Sequence, residues 1–217
     1  MDEISSVLFR SLYVNGTATL IASLIGVPLA LLVDFFSFAG KKVLVLIFQS
    51  FTGIPPVLVG LLVYLMLSRN GPLGSLQLLF TSTAMILAQI LIALPIIFSI
   101  SYGHFSRVEN RVRNVSRTLG ANDFQVMSRV LLESSTGILT AVLTAFGRVV
   151  GEVGAVMMVG GNIQGRTRLM TTSIVLYTSR GEFDKAVRTG IVLLIVAFGV
   201  NVLAVVMSKA FHKRLRT

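Results

Sequence analysis

The sequence predicts an all-α membrane protein with five transmembrane helices, and three observations carry that prediction. Of 217 residues, 54% are hydrophobic and only 13% charged, with mean hydropathy +0.85, whereas a soluble domain carries about 25% charged residues. The charges are confined to short stretches between long apolar runs, and those runs match the roughly 20 residues that a helix needs to cross a bilayer. The alternating pattern of a membrane barrel is absent. Unpaired backbone cannot face lipid, so the runs must be helices.

The first span is expected over residues 12–33, without a charge. Met1-Asp2-Glu3 opens acidic, unlike the basic start of a cleaved signal peptide, and no small-residue cleavage site follows, so the span is expected to remain as an anchor. The second and third spans, 43–67 and 78–102, are also free of charge. Pro28, Pro55, Pro56 and Pro95 each remove a backbone donor and can bend these helices. The fourth span, 137–161, carries Arg148 and Glu152, and the fifth, 190–207, is the shortest. Together they form a single membrane domain over 1–217.

Orientation follows from loop charge. Lys41 and Lys42 separate the first two spans. Arg107, Arg111, Arg113, Arg117 and Arg129 separate the third and fourth. Lys209, Lys213, Arg214 and Arg216 follow the fifth. All three regions fall on one side, which the positive-inside rule makes the cytoplasm. The N-terminus is then outside and the C-terminus cytoplasmic, in the plasma (inner) membrane of a prokaryote. One segment runs against the rule: residues 162–188 fall outside yet hold Arg166, Arg168, Arg180, Lys185 and Arg188.

Composition narrows the chemistry. The net charge of +10 needs no nucleic acid, because no soluble basic face is present. The absence of cysteine excludes disulfides, iron–sulfur clusters and thiolate zinc sites. His104 and His212 have no acidic neighbours at ligand spacing, so no metal site is expected. Asp34 is isolated, and no Ser–His or paired-Asp arrangement marks an intramembrane enzyme; no catalytic residue is assigned. A secondary transporter would be built from repeated halves, and none are visible. No Gly-x4-Gly-Lys-[Ser/Thr] occurs, so a nucleotide site would have to come from a partner.

The stretch 104–133 is the most informative. Val108, Val112, Val115 and Leu119 are spaced four, three and four apart, which places them on one helical face with arginines opposite. Gly120 suits a helix end. Asn122 with Gln125 reads as a capping box opening a second helix, whose apolar stripe would be Phe124, Met127 and Leu131. The resulting helix–Gly–helix bend either lies on lipid headgroups or docks a soluble partner.

Arg117-Thr118-Leu119-Gly120-Ala121 followed by Val130-Leu131-Leu132 resembles the cytoplasmic signature loop of ABC-importer permeases of type I. Asn114-Val115-Ser116 stands where that family has Glu-Ala-Ala, and Glu133 where it has Pro. The resemblance implies that Arg117, Thr118, Leu119, Gly120, Ala121, Asn122 and Phe124 contact an ATP-hydrolysing subunit. It further implies two ATPase subunits, two copies of this chain and an extracytoplasmic oxyanion-binding protein, with ATP and Mg on the ATPase and no cofactor on this chain.

In the fourth span, Gly147, Gly151 and Gly154 recur at four and three residues, a smooth face for close helix approach. Arg148 and Glu152 stand four apart, so they are expected to share a helical face and to pair. Such a pair either locks packing or borders a translocation path. Arg-x3-Glu in its glycine-rich setting, then Gly161-Asn162-Ile163-Gln164-Gly165-Arg166-Thr167-Arg168, resembles the molybdate and tungstate branch of these permeases. Leu169 to Ile174, Gly71-Pro72-Leu73-Gly74 and Thr83 to Gln89 look closest to tungstate permeases. The resemblance implies tungstate as cargo, with molybdate or sulfate as alternatives within the class. Arg166 and Arg168 would then form an external basic mouth, attracting a dianion or meeting headgroups or an acidic patch on a binding protein.

Overall fold

Lipid is as apolar as leucine, so helices in a bilayer associate through close packing rather than through expulsion of water. The small side chains of this sequence stand where that packing occurs. The computed structural model describes the backbone of residues 2–108, 112, 115 and 118–214, and the side chains of those that lie between 4 and 206. Along it run α1 (Asp2–Phe35), α2 (Lys41–Phe51), α3 (Pro56–Leu67), a 3-10 turn (Gly74–Leu76) and α4 (Ser82–Phe105). There follow α5 (Asp123–Glu133), α6 (Ser135–Val150), α7 (Gly154–Gly160), α8 (Met170–Ser179) and α9 (Phe183–Arg214). No strand occurs among the described residues.

The centre of the bundle is α4, which packs against α1, α2, α3, α6 and α7. Ala18 and Ala22 of α1 and Ala84, Ala88 and Ala93 of α4 are fully buried in one cluster, with Val149 of α6 and Ala155 of α7. A second cluster at the other end of α4 joins Phe98 and Phe105 to Val45 of α2 and Val130 of α5. There the rings of Phe48 and Phe98 stack 4.1 Å apart. Lys41 donates to the Asp34 carbonyl at 2.8 Å and Ser106 to the Asp34 carboxylate at 3.0 Å, tying α1, the start of α2 and the end of α4 together.

Three helices are long and apolar enough to cross a membrane by themselves: 4–35, 82–105 and 183–206. The bent pairs α2–α3 and α5–α6 raise the number to as many as five. The third span, expected over 78–102, runs over Ser82–Phe105, and the boundaries differ more in four other places. α1 begins at Asp2, not Leu12. The second span is broken at 52–55, and its halves meet at 101°. Pro56 has no N–H, and Pro55 drives Ile54 out of the helical region. The amides of Thr52, Gly53 and Ile54 turn back onto the carbonyls of Gln49, Ser50 and Phe51.

The fourth span does not run to Gly161. α6 stops at Val150 and α7 restarts at Gly154, in a stretch where Gly151 and Gly154 weaken the helix. The fifth span, α9, starts at Phe183 rather than Gly190. Only 6% of its spanning window is buried, so its apolar surface faces lipid or another chain. The segment 162–188 is also no simple loop: it contains α8, whose first turn, Met170 to Ser173, is buried.

Candidate functional site

Three places on this scaffold carry unusual chemistry, and the first is the hairpin that precedes α5. Asn122 accepts from the Gln125 amide and Gln125 from the Asn122 amide, each at 2.9 Å, so the predicted capping box forms. Gly120 has φ +82°, a backbone conformation that costs an L-residue about 1–2 kcal/mol. The buried face of α5 is Val126 and Val130, supported by the partly buried Met127 and Leu131. Phe124 is not on it, contrary to the expected stripe: it is 78% exposed, and Leu119 is 82% exposed. Two large apolar side chains therefore flank the Gly120 turn and point away from the bundle. Thr118 donates to the Val115 carbonyl at 2.9 Å, closing the preceding turn. Arg129 and Glu133 pair at 2.9 Å along α5. Arg117, Asn114 and Ser116 lie outside the described residues.

The second place is the break in the fourth span. Because α6 ends at Val150, Arg148 and Glu152 are not on one helix and the expected ion pair is not formed. Glu152 is 7% exposed. Its carboxylate accepts from the Ala155 amide at 3.1 Å and its carbonyl from the Thr171 hydroxyl at 3.2 Å. It stands two residues before α7, where a carboxylate also meets the positive end of the helix dipole. Arg148, in contrast, is exposed. It borders a cavity of about 260 Å³ whose other walls are apolar side chains of α3 and α4 and the α2–α3 break.

Gln89 stabilises this break and was assigned no role from sequence. Fully buried, it donates to Asn15 of α1 at 3.2 Å and to the Val149 carbonyl of α6 at 3.0 Å. A lone amide in an apolar span was the available signal, since a polar group there must find a partner. Of the three glycines expected to form a packing seam, only Gly154 does so: a Cβ there would collide with the Val57 side chain. Around Gly147 there is open space, and Gly151 meets only its own helix backbone.

These contacts give a prediction. Glu152→Gln keeps an acceptor for Ala155 and should leave thermal stability unchanged, whereas Glu152→Ala leaves a buried N–H unpaired at about 1–3 kcal/mol. Thermal unfolding followed by size-exclusion chromatography in detergent separates the two. Equal loss in both variants would mean that the charge, not the cap, matters.

The third place lies at the end of the bundle opposite the hairpin. Arg166 is exposed, but Arg168 is 8% exposed and is no part of an open basic mouth. Arg10, unassigned from sequence, reaches across from α1 to the carbonyls of Gly165 at 2.8 Å and Arg168 at 3.3 Å. The Met170 amide donates to Ser11 at 2.8 Å and the Thr167 hydroxyl to the Gly160 carbonyl. The segment is thus stapled to α1 and α7. Beyond α8, Lys185 holds the Glu182 carboxyl below its usual range.

An apolar helical bundle whose second and fourth spans are broken around a continuous α4, with an exposed apolar hairpin at one end, is the architecture of a helical membrane protein. The chain belongs to the family of binding-protein-dependent transport system inner membrane components, with residues 22–217 matching. It is 39% identical over 199 residues to a tungstate uptake system permease protein, TupB, of Peptoclostridium acidaminophilum, covering 92% of this chain and 87% of that one. With the protein of the same name from Campylobacter jejuni it shares 34% over 183 residues, or 84% and 74% of the two chains. The fold matches that of a chain in the inward-facing MetNI methionine ABC transporter with TM-score 0.76 at 15% identity, over 97% of this chain and 96% of the other.

Proposed function

We propose that two copies of this chain form the membrane path of an ATP-driven tungstate importer, served by an extracytoplasmic binding protein and driven by two ATP-hydrolysing subunits. The observation that carries this reading is the exposed apolar hairpin, in a chain whose relatives named above are tungstate uptake permeases. Leu119 and Phe124 insert into a cleft of the ATPase subunit, Thr118, Ala121 and Asn122 border the contact, and Gly120 sets the turn. Arg117 is assigned to the same contact. ATP and Mg²⁺ belong to that partner, and this chain makes and breaks no covalent bond.

The hairpin end faces the cytoplasm. Lys41, Lys42, Arg107 and Arg129 support that orientation, which leaves the N-terminus outside and the C-terminus inside. Arg166, exposed at the far end, then meets the arriving dianion or the binding protein. ATP binding can shift the path only by as much as it favours one arrangement over the other. Moving a two-state equilibrium from 1:99 to 99:1 takes about 5.5 kcal/mol.

Tungsten accumulation, measured by mass spectrometry in cells carrying the chain with its partners, is expected to fall to background when the chain is removed. Molybdate and sulfate should compete less well than tungstate. Unchanged accumulation, with no ATPase subunit copurifying from detergent, would sink the reading.

A further inference from the structure

Sequence alone left Arg148 and Glu152 together as one pair that either locks packing or borders the path. The structure separates them. Glu152 is turned to Ala155 and Thr171 and is buried. The Arg148 side chain makes no hydrogen bond or ion pair among the described residues, and the residue lines a cavity with no acidic residue in its walls. We infer that Arg148, one from each of two copies, is the cation that the tetrahedral dianion meets midway through the membrane, and that it sets selectivity for oxyanions. The inference rests on the importer reading above and deepens it.

Position and chemistry support it. Arg148 is the fourteenth residue of α6, counted from its hairpin end, which at 1.5 Å per residue places it about 20 Å along the helix. That is well inside a hydrocarbon core of about 30 Å. An arginine exposed at that depth cannot be left against lipid, so this face must border another chain or water. Guanidinium is always charged, and its planar fork suits bidentate contact with an oxyanion. Two such groups match the charge of a dianion. Around Arg148 the walls are Leu58, Leu62, Met66, Leu91 and Ile96. They lower the local dielectric, which strengthens the attraction, and the other polar residue of the lining, Thr52, donates its hydroxyl to the Gln49 carbonyl, so the ion is not held tightly. A path needs binding favourable enough for entry and weak enough for release.

The chain contains no cysteine, so Arg148→Cys installs a unique thiol. The complex with its ATPase and binding protein is reconstituted in liposomes, and tungstate uptake is measured before and after a cationic or an anionic methanethiosulfonate reagent. Wild-type complex is treated in parallel. Arg148→Cys should assemble and lose at least tenfold in uptake. The cationic reagent should restore at least threefold and the anionic one nothing, and bound tungstate should slow labelling. Arg148→Lys should stay within about fivefold of wild type.

The inference is overturned by uptake in Arg148→Cys within twofold of wild type, by equal effects of the two reagents, or by a thiol that neither reagent reaches. Should Arg148→Cys fail to assemble, an assembled Arg148→Lys complex without uptake overturns it as well. Wild-type complex that carries no tungstate would instead overturn the importer reading itself.

Discussion

Gly60→Val should sharply reduce the amount of folded protein in the membrane. A Cβ at residue 60 would lie 2.6 Å from the Ala155 Cα and 3.2 Å from the Ala155 carbonyl oxygen, so the collision is with backbone and no rotamer change relieves it. Gly60 on α3 and Gly154 on α7 are where these two helices cross, and small residues are what allow helices in a membrane to approach so closely. Forcing them apart would disturb the buried cluster that joins Val63, Ala155, Val156 and Val159 to α4. Overpacking of this kind costs about 1–3 kcal/mol or more. For a chain of this size that is roughly 3–10 °C in melting temperature, and valine at a backbone contact stands at the upper end. The control is Gly147→Val, where a Cβ meets nothing within 4 Å. Fluorescence-detected size exclusion of tagged variants should show a collapsed peak for Gly60→Val and a normal one for Gly147→Val. Two normal peaks would mean that α3 and α7 do not cross as described.

The second large effect falls on the hairpin. Leu119→Asp combined with Phe124→Asp should leave the bundle folded, because both side chains are mostly exposed and neither belongs to a buried cluster. Copurification of the ATPase subunit should nevertheless be lost. Burying a leucine or phenylalanine side chain contributes about 1.5–3 kcal/mol, so the pair supplies at least about 3 kcal/mol, a hundredfold in affinity at 1.4 kcal/mol per decade. Charges placed in a dry cleft add to that loss. Uptake should drop with assembly, while the melting temperature of the isolated chain stays within about 2 °C of wild type, less than 1 kcal/mol. An ATPase subunit that still binds the double variant would mean that the hairpin is not the contact. Gly120→Ala separates shape from chemistry: nothing lies within 4 Å of its Cβ position and no charge is added, so its effect comes from the strain of φ +82° and should be smaller.

The sequence by itself determined the all-helical membrane class, the clustering of basic residues in particular loops, and the capping box at Asn122 and Gln125. Each of these depends on composition or on neighbours a few residues apart, which a linear reading captures. The resemblance of Arg117 to Ala121 and of Gly161 to Arg168 to a permease family depended on the same local strings. Tertiary structure decided the rest. Hydropathy does not register a break between two apolar segments, so the second and fourth spans read as continuous although the chain bends by 101° at Pro55-Pro56 and stops at Val150. The Arg148–Glu152 pair was inferred from helical spacing, and spacing holds only while one helix runs through both residues. α8 was hidden because its buried Thr171, Thr172 and Ser173 look like a polar loop until their hydroxyls find the carbonyls of Glu152 and Leu169. Whether Phe124 points into the bundle or away from it also depended on how α5 rests on its neighbours. Local periodicity offers a helix several apolar faces, and only packing against α4 and its neighbours selects which of them is buried.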